Sequence, residues 1–425
     1  MRHRMDYDIA VIGAGAAGLM AAAAAVKSVP GQRILLLEKN GAAGKKLYAT
    51  GNGRCNFLNR FAVKEDYYAR EHGGSAAGWI GPALEKVSPG TLEKIFCGLG
   101  VPAVEESQGR LYPRSLQADS VVEALMLAVE TAGAELRVNE AVTTCRRTDD
   151  GFVLESGHGT CIAARCVILS AGGKAGLQYG NQGDGYKLAA ALGHRIVKPI
   201  PALTQLLLES PDPELFGVRV RALIGLQRHC GGKSESVARD TGEVQFTREG
   251  LSGICTFNIS RFYEIAEDTH YTAALDFFPE SSSEQLLEIF QKRRSQLAGR
   301  SGMTFLNGLL PLKLARAVLM EAGVSEPGKI GNLSDESLRR AATICKNYER
   351  KVRGTKSWKD AQVTAGGVSL EEVDPSCLMS RLVPGLYFAG EVLDVDGPCG
   401  GYNLTWAFAS GWIAGTSAGE AICCA

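Results

Sequence analysis

Asp8-Ile9-Ala10-Val11-Ile12-Gly13-Ala14-Gly15-Ala16-Ala17-Gly18 decides how the rest of this chain is read. Asp8 to Ile12 is a short apolar run that ends in glycine, the pattern of a buried strand. The alanine-rich stretch from Leu19 to Val26 reads as a helix, and Arg33-Ile34-Leu35-Leu36-Leu37 as a second buried strand ending at Glu38. Strand, glycine turn, helix, strand and acidic residue in this order form the βαβ unit that binds a dinucleotide. Gly13 permits the tight turn. Gly15 has no Cβ, so a pyrophosphate can approach the N–H groups at the helix N-terminus. Gly18 lets helix and strand pack closely, and Ala14, Ala16 and Ala17 complete the turn. Glu38 lies twenty positions after Gly18, where a carboxylate can accept hydrogen bonds from ribose hydroxyls, and Lys39 follows it. The glycines alone would suit an ordinary turn of an α/β domain; the whole unit favours the dinucleotide.

At 425 residues the chain is long enough for about two or three domains with sizeable cores. Apolar residues make up 45% and charged residues 22%, the balance of a soluble globular protein. Lys plus Arg and Asp plus Glu stand at 46 each, so no global basic field points to nucleic acid or an anionic membrane. The 12 cysteines contain no CxxC pair, and Cys and His are not clustered as a zinc or iron–sulfur site requires, so no metal is expected. Reduced thiols in the cytoplasm are the expected state. The first strand begins by residue 8, which leaves no room for a signal peptide, and the apolar run Ala16 to Val26 is too short to span a bilayer. Oligomeric state leaves no mark that can be read.

The segment from Gly44 to Asn56 is glycine-rich, basic and too polar for a core, and reads as a loop. Pro89 to Gly98 and Ser120 to Thr131 read as helices. Leu136 to Val142, Phe152 to Glu155 and Cys161 to Arg165 read as a small sheet, with turns at Asp149-Asp150-Gly151 and Gly157-His158-Gly159. Cys166 to Leu169 is another buried strand, and Gly183-Asp184-Gly185 opens a helix that Gly193 stops. Near Pro199-Ile200-Pro201 the character changes to short alternating runs as far as Phe278. A mostly helical stretch follows from Ser281 to about Arg353, with Ser281 to Glu284 as its N-cap region. Gln362 to Val368 and Gly385 to Glu391 resume strand and glycine, and Leu404 to Ala421 is a closing helix. The expected organisation is one nucleotide-binding domain, residues 1–195 and 355–425, interrupted by an insert at 196–354.

Four segments together resemble one family: Gly51-Asn52-Gly53-Arg54-Cys55-Asn56, Ser170-Ala171-Gly172-Gly173, Gln362 to Val368, and Gly385 to Gly411. These are marks of the HI0933-like flavoproteins, also called the BaiN/RdsA family of NAD(P)/FAD-dependent oxidoreductases. The likeness runs from about residue 7 to residue 421, and the C-terminal segment is its most specific part. The resemblance implies an α/β fold, in which a glutathione-reductase-like FAD-binding Rossmann domain carries an inserted β-rich, barrel-like and helical module. It implies tightly bound FAD, with NAD(P)H as a transient reductant. One activity in the family is reduction of a C=C bond conjugated to a 3-oxo group of a bile acid. Membership does not fix that substrate. A single GxGxxG agrees with one tightly held dinucleotide.

The residues expected on the cofactor extend beyond the glycine turn and Glu38. Lys45 and Lys46 either neutralise phosphate or form an exposed pair. Gly51, Asn52, Gly53, Arg54, Cys55 and Asn56 form the family loop, with Arg54 facing flavin or pyrophosphate and Cys55 packed rather than redox-active. Val142, Ala171, Gly172 and Gly173 stand at strand ends on the nucleotide side. Gly390-Glu391 occupies the place of a Gly-Asp that contacts the ribityl chain in related flavoproteins; with the longer Glu391 the contact is indirect, or Asp394 serves instead. Gly400, Gly401, Tyr402 and Asn403 at a helix start offer N–H groups to the flavin pyrimidine, which favours anionic reduced flavin.

Cys399 either packs or stands near the ligand. His194 reads as a helix-end histidine, and Cys423 and Cys424 as unpaired thiols. At Arg248 the family more often has His, so no acid–base role carries over, but an arginine can orient a substrate carbonyl or carboxylate. Tyr402 and Tyr112 can in principle donate a proton, although buried packing is the commoner fate of a tyrosine. The reading is an FAD enzyme that reduces an activated C=C bond of a small apolar substrate held by the insert, with Arg248 and Tyr402 as catalytic candidates. Two rivals stand beside it. One is a flavin-dependent RNA-modifying enzyme, against which the balanced charge argues. The other is a non-catalytic flavin-binding redox sensor.

Overall fold

A computed structural model describes residues 5–28, 31–71, 73–131, 133–324 and 328–423. The chain forms two compact units, Met1–Pro201 with Gln362–Ala425, and Ala202–Ala361.

In the first unit β1 (Tyr7–Ile12) pairs in parallel with β2 (Ile34–Leu37), and α1 (Ala16–Ser28) connects them. Beyond β2 lies Glu135–Arg137; on the other side of β1 lies Cys161–Leu169, also parallel, and Leu386–Phe388 pairs with that strand too. The hairpin Val142–Thr148 and Gly151–Ser156 adds antiparallel to Cys161–Leu169, which makes a sheet of seven strands.

Two expectations change here. The stretch expected as one strand, Leu136 to Val142, is broken: Asn139, at φ +56°, turns the chain, and the next strand begins at Val142. The small separate sheet is part of the main one. Cys161 to Leu169 is a single strand; residues 161–164 pair with the hairpin, and residues 167–169 lie between β1 and Leu386–Phe388.

The segment expected as a loop contains a short helix, Lys45–Tyr48, and a 3₁₀ turn, Thr50–Gly53. Two features had no readable signal. One is a small sheet of Leu58–Asn59, Arg110–Pro113 and Ala103–Glu105, whose strands are too short to show a period. The other is the helix Ala77–Lys86, which carries Pro82.

The closing helix, Tyr402–Cys423, lies against α1. A Cβ at Gly411 would stand 2.4 Å from the carbonyl oxygen of Ala17, and one at Gly415 2.1 Å from that of Ala21. Glycines four apart fall on one helix face, and here they set how close the two backbones come.

The second unit is a closed barrel in the order Leu206–Leu208, Gly250–Ser252, Lys233–Phe246, Arg219–Cys230, Thr269–Asp276 and Tyr348–Thr355. Val220, Ala222, Ile224 and Leu226 are buried on alternate positions of one strand, the period of two that a half-buried strand requires. Helices Ser283–Gln296, Leu312–Glu321 and Asp335–Lys346 follow. Ser282 and Gln285 form a reciprocal capping box on the first of these. The helical expectation to Arg353 overran: Tyr348–Thr355 is a strand, because pairing with Leu206–Leu208 on one side and Thr269–Asp276 on the other outweighs the helix propensity of its charged residues.

Among the described residues no helix is long and apolar enough to cross a membrane. Among the described residues no cysteine is in a disulfide; Cys424 lies outside the described residues.

Candidate functional site

The glycine turn shows two kinds of glycine. At Gly13, φ +101°, a Cβ would stand 2.7 Å from the carbonyl oxygen of Ser170, and at Gly18 one would stand 1.8 Å from that of Gly13. The Ser170 hydroxyl lies 3.0 Å from each of the carbonyl oxygens of Ile12 and Gly13 and fixes the turn to the neighbouring strand end. At Gly15, by contrast, a Cβ would meet no protein atom within 4 Å. The N-terminus of α1 therefore faces open space at the point where its unpaired N–H groups and positive dipole end favour an anion. Glu38 is 8% exposed and already oriented: one oxygen accepts the Ala14 N–H at 3.0 Å, the other the Asn40 N–H and side-chain amide at 2.8 Å each. Ala16 opens α1, and Ala17 packs beneath Gly390 and Gly411. Lys39 is ion-paired with Asp184, and Val142 pairs across its hairpin with Ser156.

A second cluster joins several of the motif segments. Lys46 Nζ lies 2.8 Å from one Glu391 oxygen, and the other oxygen accepts the Thr364 N–H at 2.7 Å. Thr364 Oγ1 in turn accepts the N–H groups of Lys174 and Ala175 at 2.8 and 3.0 Å. Gly173 sits so close that a Cβ would be 2.4 Å from Thr364 Oγ1; Ala171 and the left-handed Gly172 lead into it. Gly390 donates its N–H to Ser410 Oγ at 2.9 Å. Asp394 is fully buried and accepts the N–H groups of Arg70 and Glu71 at 3.1 and 2.9 Å, so it holds that turn while Glu391 stands with the glycine motif. Lys45 is exposed.

Gly51, Asn52, Gly53 and Cys55 all adopt positive φ. Arg54 pairs with Glu106, and its guanidinium lies 4.4 Å over the ring of the buried Tyr112. Cys55 is fully buried, and burial pushes its thiol up to about 11, which keeps it protonated and inert at neutral pH.

The turn before the closing helix is tied down from several sides. Gly400 and Gly401 have φ of +118° and +96°, and a Cβ at Gly401 would stand 2.5 Å from the Leu58 carbonyl and 2.8 Å from Asn56 Oδ1. Asn59 is 1% exposed and donates its side-chain amide to the carbonyls of Gly400 and Gln108 at 2.8 and 3.1 Å. Asn403 is bonded on both sides of its amide to Gly397, at 2.9 and 2.8 Å. Tyr67 Oη donates to the Tyr402 carbonyl at 2.9 Å. Burial, helped by Asp66 and opposed by Arg110, raises the Tyr402 phenol, which stays protonated at neutral pH. Cys399 Sγ lies 3.7 Å from Gln362 Oε1.

Three residues that hold this site were not singled out from the sequence. Ser170 and Thr364 stand inside the quoted motifs and could have been. Asn59, an isolated polar residue after Phe57-Leu58, offered no signal. His194 is 4% exposed, with Nδ1 3.0 Å from Glu372 and Nε2 2.9 Å from Ser380 Oγ, a buried structural network. Arg248 belongs to the barrel unit. It is exposed in the turn before Gly250–Ser252, its guanidinium 5.1 Å from the Phe216 ring. Among the described residues no group of three or more His, Cys, Asp or Glu is arranged to hold a metal.

The family model for the HI0933-like protein Rossmann domain matches residues 7–417. The chain belongs to that family. Membership supports FAD as the cofactor, and the open space at Gly15 and the oriented Glu38 suit a dinucleotide. The 3-dehydro-bile acid delta(4,6)-reductase of Clostridium scindens is 35% identical, over 97% of this chain and 99% of the relative. The ribosomal RNA dihydrouridine synthase of Escherichia coli is 27% identical, over 96% of each chain. Among solved structures, a flavocytochrome c3 fumarate reductase is 17% identical with a TM-score of 0.48, covering 98% of this chain and 78% of that one.

Proposed function

We propose that this protein is an FAD-dependent reductase of a C=C bond conjugated to a carbonyl, in a small apolar substrate of 3-oxo steroid or bile-acid type. NAD(P)H is the reductant and the cytoplasm the place of action. The observation that carries this reading is the 35% identity to a 3-dehydro-bile acid delta(4,6)-reductase, which extends over 97% of the chain and so includes both compact units.

The N–H groups at the start of α1 would hold the pyrophosphate, Glu38 the ribose, Lys46 with Glu391 the ribityl side, and residues 400–403 the flavin pyrimidine. Bound FAD supplies two-electron transfer from a reduced nicotinamide to the β-carbon of the acceptor. The chain itself supplies position and protons. An enone reduced in this way builds negative charge on its carbonyl oxygen and needs a proton at its α-carbon. Tyr402 keeps its phenolic proton at neutral pH and can donate it there. Within the barrel unit, Arg248 is the arginine the sequence singles out as able to pair with a carbonyl or carboxylate oxygen.

A second reading has its own support. The ribosomal RNA dihydrouridine synthases of Escherichia coli and Haemophilus influenzae are each 27% identical over 96% of this chain. Dihydrouridine is uridine whose C5=C6 bond, conjugated to the C4 carbonyl, has been reduced, so the bond chemistry is shared and the acceptor differs. The even balance of 46 basic and 46 acidic residues favours the small acceptor.

The test is anaerobic. The purified yellow protein is reduced with NADH or NADPH and mixed with a 3-oxo-Δ4 steroid or with ribosomal RNA transcribed without modification. Recovery of the flavin absorbance with loss of the enone band is the expected result. Recovery with RNA and formation of dihydrouridine would establish the second reading, and recovery with neither would overturn both.

A further inference from the structure

We propose that Arg110, in the first unit, is the cation that binds the carbonyl oxygen of the acceptor, beside the phenol of Tyr402. The inference deepens the enone-reductase reading above and rests on it. Arg110 opens the strand Arg110–Pro113 and is half-buried. Its guanidinium donates to Gln108 Oε1 at 2.5 Å, and among the described residues no carboxylate pairs with it. The two carboxylates that precede it in sequence are taken: Glu105 by Arg60 at 2.8 Å, and Glu106 by Arg54. Partly withdrawn from water and without a counter-ion, such a charge favours an oxygen that carries negative charge.

The backbone sets its position. Gln108 and Gly109 are left-handed, at φ +63° and +70°, and a Cβ at Gly109 would stand 2.5 Å from the Phe61 ring. The Arg60 N–H bonds to the Gly109 carbonyl at 2.8 Å, and the Glu106 N–H to the Arg110 carbonyl at 2.9 Å. The Asn59 amide joins the Gln108 carbonyl to that of Gly400, so the turn that carries Arg110 is fastened to the turn before the closing helix. There the place where a Cβ of Gly400 would stand is 3.4 Å from Arg110 Nε and 3.7 Å from Tyr402 Cε2. The two side chains flank one glycine, at the turn to which the FAD reading gives the flavin pyrimidine. The Tyr402 phenol is partly exposed, and no described residue is hydrogen-bonded to it.

The chemistry gives the two groups different atoms. Reduction of the enone adds a hydride at the β-carbon, its two electrons drawn from NAD(P)H by way of the bound cofactor. The electron pair of the C=C bond shifts toward the carbonyl, whose oxygen becomes an enolate oxygen, and the guanidinium N–H groups donate to it. The α-carbon then takes the Tyr402 proton and the carbonyl re-forms. The tyrosinate left beside Arg110 regains a proton from water. This assignment is independent of Arg248, which lies in the barrel unit.

The test uses the full chain with its FAD and two probes. One is 2-naphthol, a planar phenol whose ionised oxygen mimics an enolate; the other is a 3-oxo-Δ4 steroid. At mildly alkaline pH wild type is expected to bind 2-naphthol as the naphtholate, seen in its absorbance. Arg110→Met should bind it roughly tenfold or more weakly, and as the neutral phenol. Reoxidation of the reduced variant by the steroid should be slower by roughly a hundredfold, with FAD content and the rate of reduction by NAD(P)H unchanged. Arg110→Lys should recover only part of both losses. Tyr402→Phe should slow the steroid reaction and still bind the naphtholate. The assignment fails if Arg110→Met binds the naphtholate, or turns over the steroid, like wild type. It also fails if Arg110→Met loses FAD, since the guanidinium would then hold the cofactor. Should Arg110→Met not fold, Arg110→Lys decides, and wild-type values with both probes would overturn the assignment. A wild-type protein that carries FAD but responds to neither probe would instead overturn the enone reading on which the proposal rests.

Discussion

The two units fix their residues by different means. In the unit that contains the glycine turn, backbone meets backbone. Gly18 stands against the carbonyl of Gly13, and Gly411 and Gly415 stand against α1, at distances that admit no Cβ. In the barrel unit most positions are set by burial on alternate sides of a strand, as for Val220, Ala222, Ile224 and Leu226. A Cβ added at Gly225, within that strand, would meet other atoms only at 3.6 Å or more, an ordinary contact; near-contact of backbones is found at the corner that holds Gly250 and Gly253. A contact that forbids a side chain writes a particular residue at a particular spacing. Alternation can be satisfied by many sequences, so it reveals a strand and says little about a site.

The largest effects should test that difference within one turn. Gly18→Ala forces a methyl group to 1.8 Å from a backbone oxygen and should cost about 3 kcal/mol or more of unfolding free energy. Gly15→Val faces open space. It should change the stability of the FAD-free protein by only about 1 kcal/mol, yet abolish FAD retention by covering the N–H groups of α1. Gly225→Ala in the barrel should stay within about 0.5 kcal/mol of wild type. Denaturant unfolding of the FAD-free proteins and flavin content after purification separate these cases. Stoichiometric FAD in Gly15→Val would mean the pyrophosphate lies elsewhere, and an unaffected Gly18→Ala would remove the distinction between the two glycines.

The same contrast explains what could be read beforehand. The βαβ unit, the family loop and the closing helix were legible because glycines at fixed spacing mark them. The break at Asn139 was not, because the apolar and polar residues on either side of it read equally well as one strand. Tyr348–Thr355 was misread because its barrel partners, Leu206–Leu208 and Thr269–Asp276, lie far away in sequence. In the candidate site, Glu38 and Glu391 stand beside glycine motifs, and that neighbourhood is what singles them out in the sequence. Asn59, which holds Gly400, and the ion pair that joins Lys46 to Glu391 depend on contacts hundreds of residues apart, which no local pattern records.

A smaller effect concerns the buried polar network of the first unit. Burial lowers the pKa of His194, against the opposing pull of Glu372, so the fold favours its neutral form. The unfolded chain therefore binds this proton more readily. The stability it contributes is complete above the ordinary histidine value of about 6.5 and is lost progressively as pH falls below it. The denaturant midpoint of the first unit should drop between about pH 7.5 and about pH 5.5. His194→Gln should be less stable at the higher pH, having lost bonds to Glu372 and Ser380, but should lose part of that pH dependence. An unchanged slope in this variant would assign the acid sensitivity to other groups.

A small structural effect is also expected at Arg248, and there the barrel unit faces its own test. Its guanidinium lies over Phe216 at the surface, a contact worth about 0.5–1 kcal/mol when exposed. Arg248→Ala should therefore lower stability by no more than about that amount. FAD content and the rate of flavin reduction by NAD(P)H should not change. If Arg248 orients the acceptor, KM for the enone should rise, or kcat fall, by several-fold, and Arg248→Lys should recover only part of the loss because it keeps the charge without the planar fork. A variant that turns over the enone at the wild-type rate would leave Arg248 only the task of covering Phe216. Recognition of the acceptor would then have to come from residues that the alternation of the barrel does not reveal.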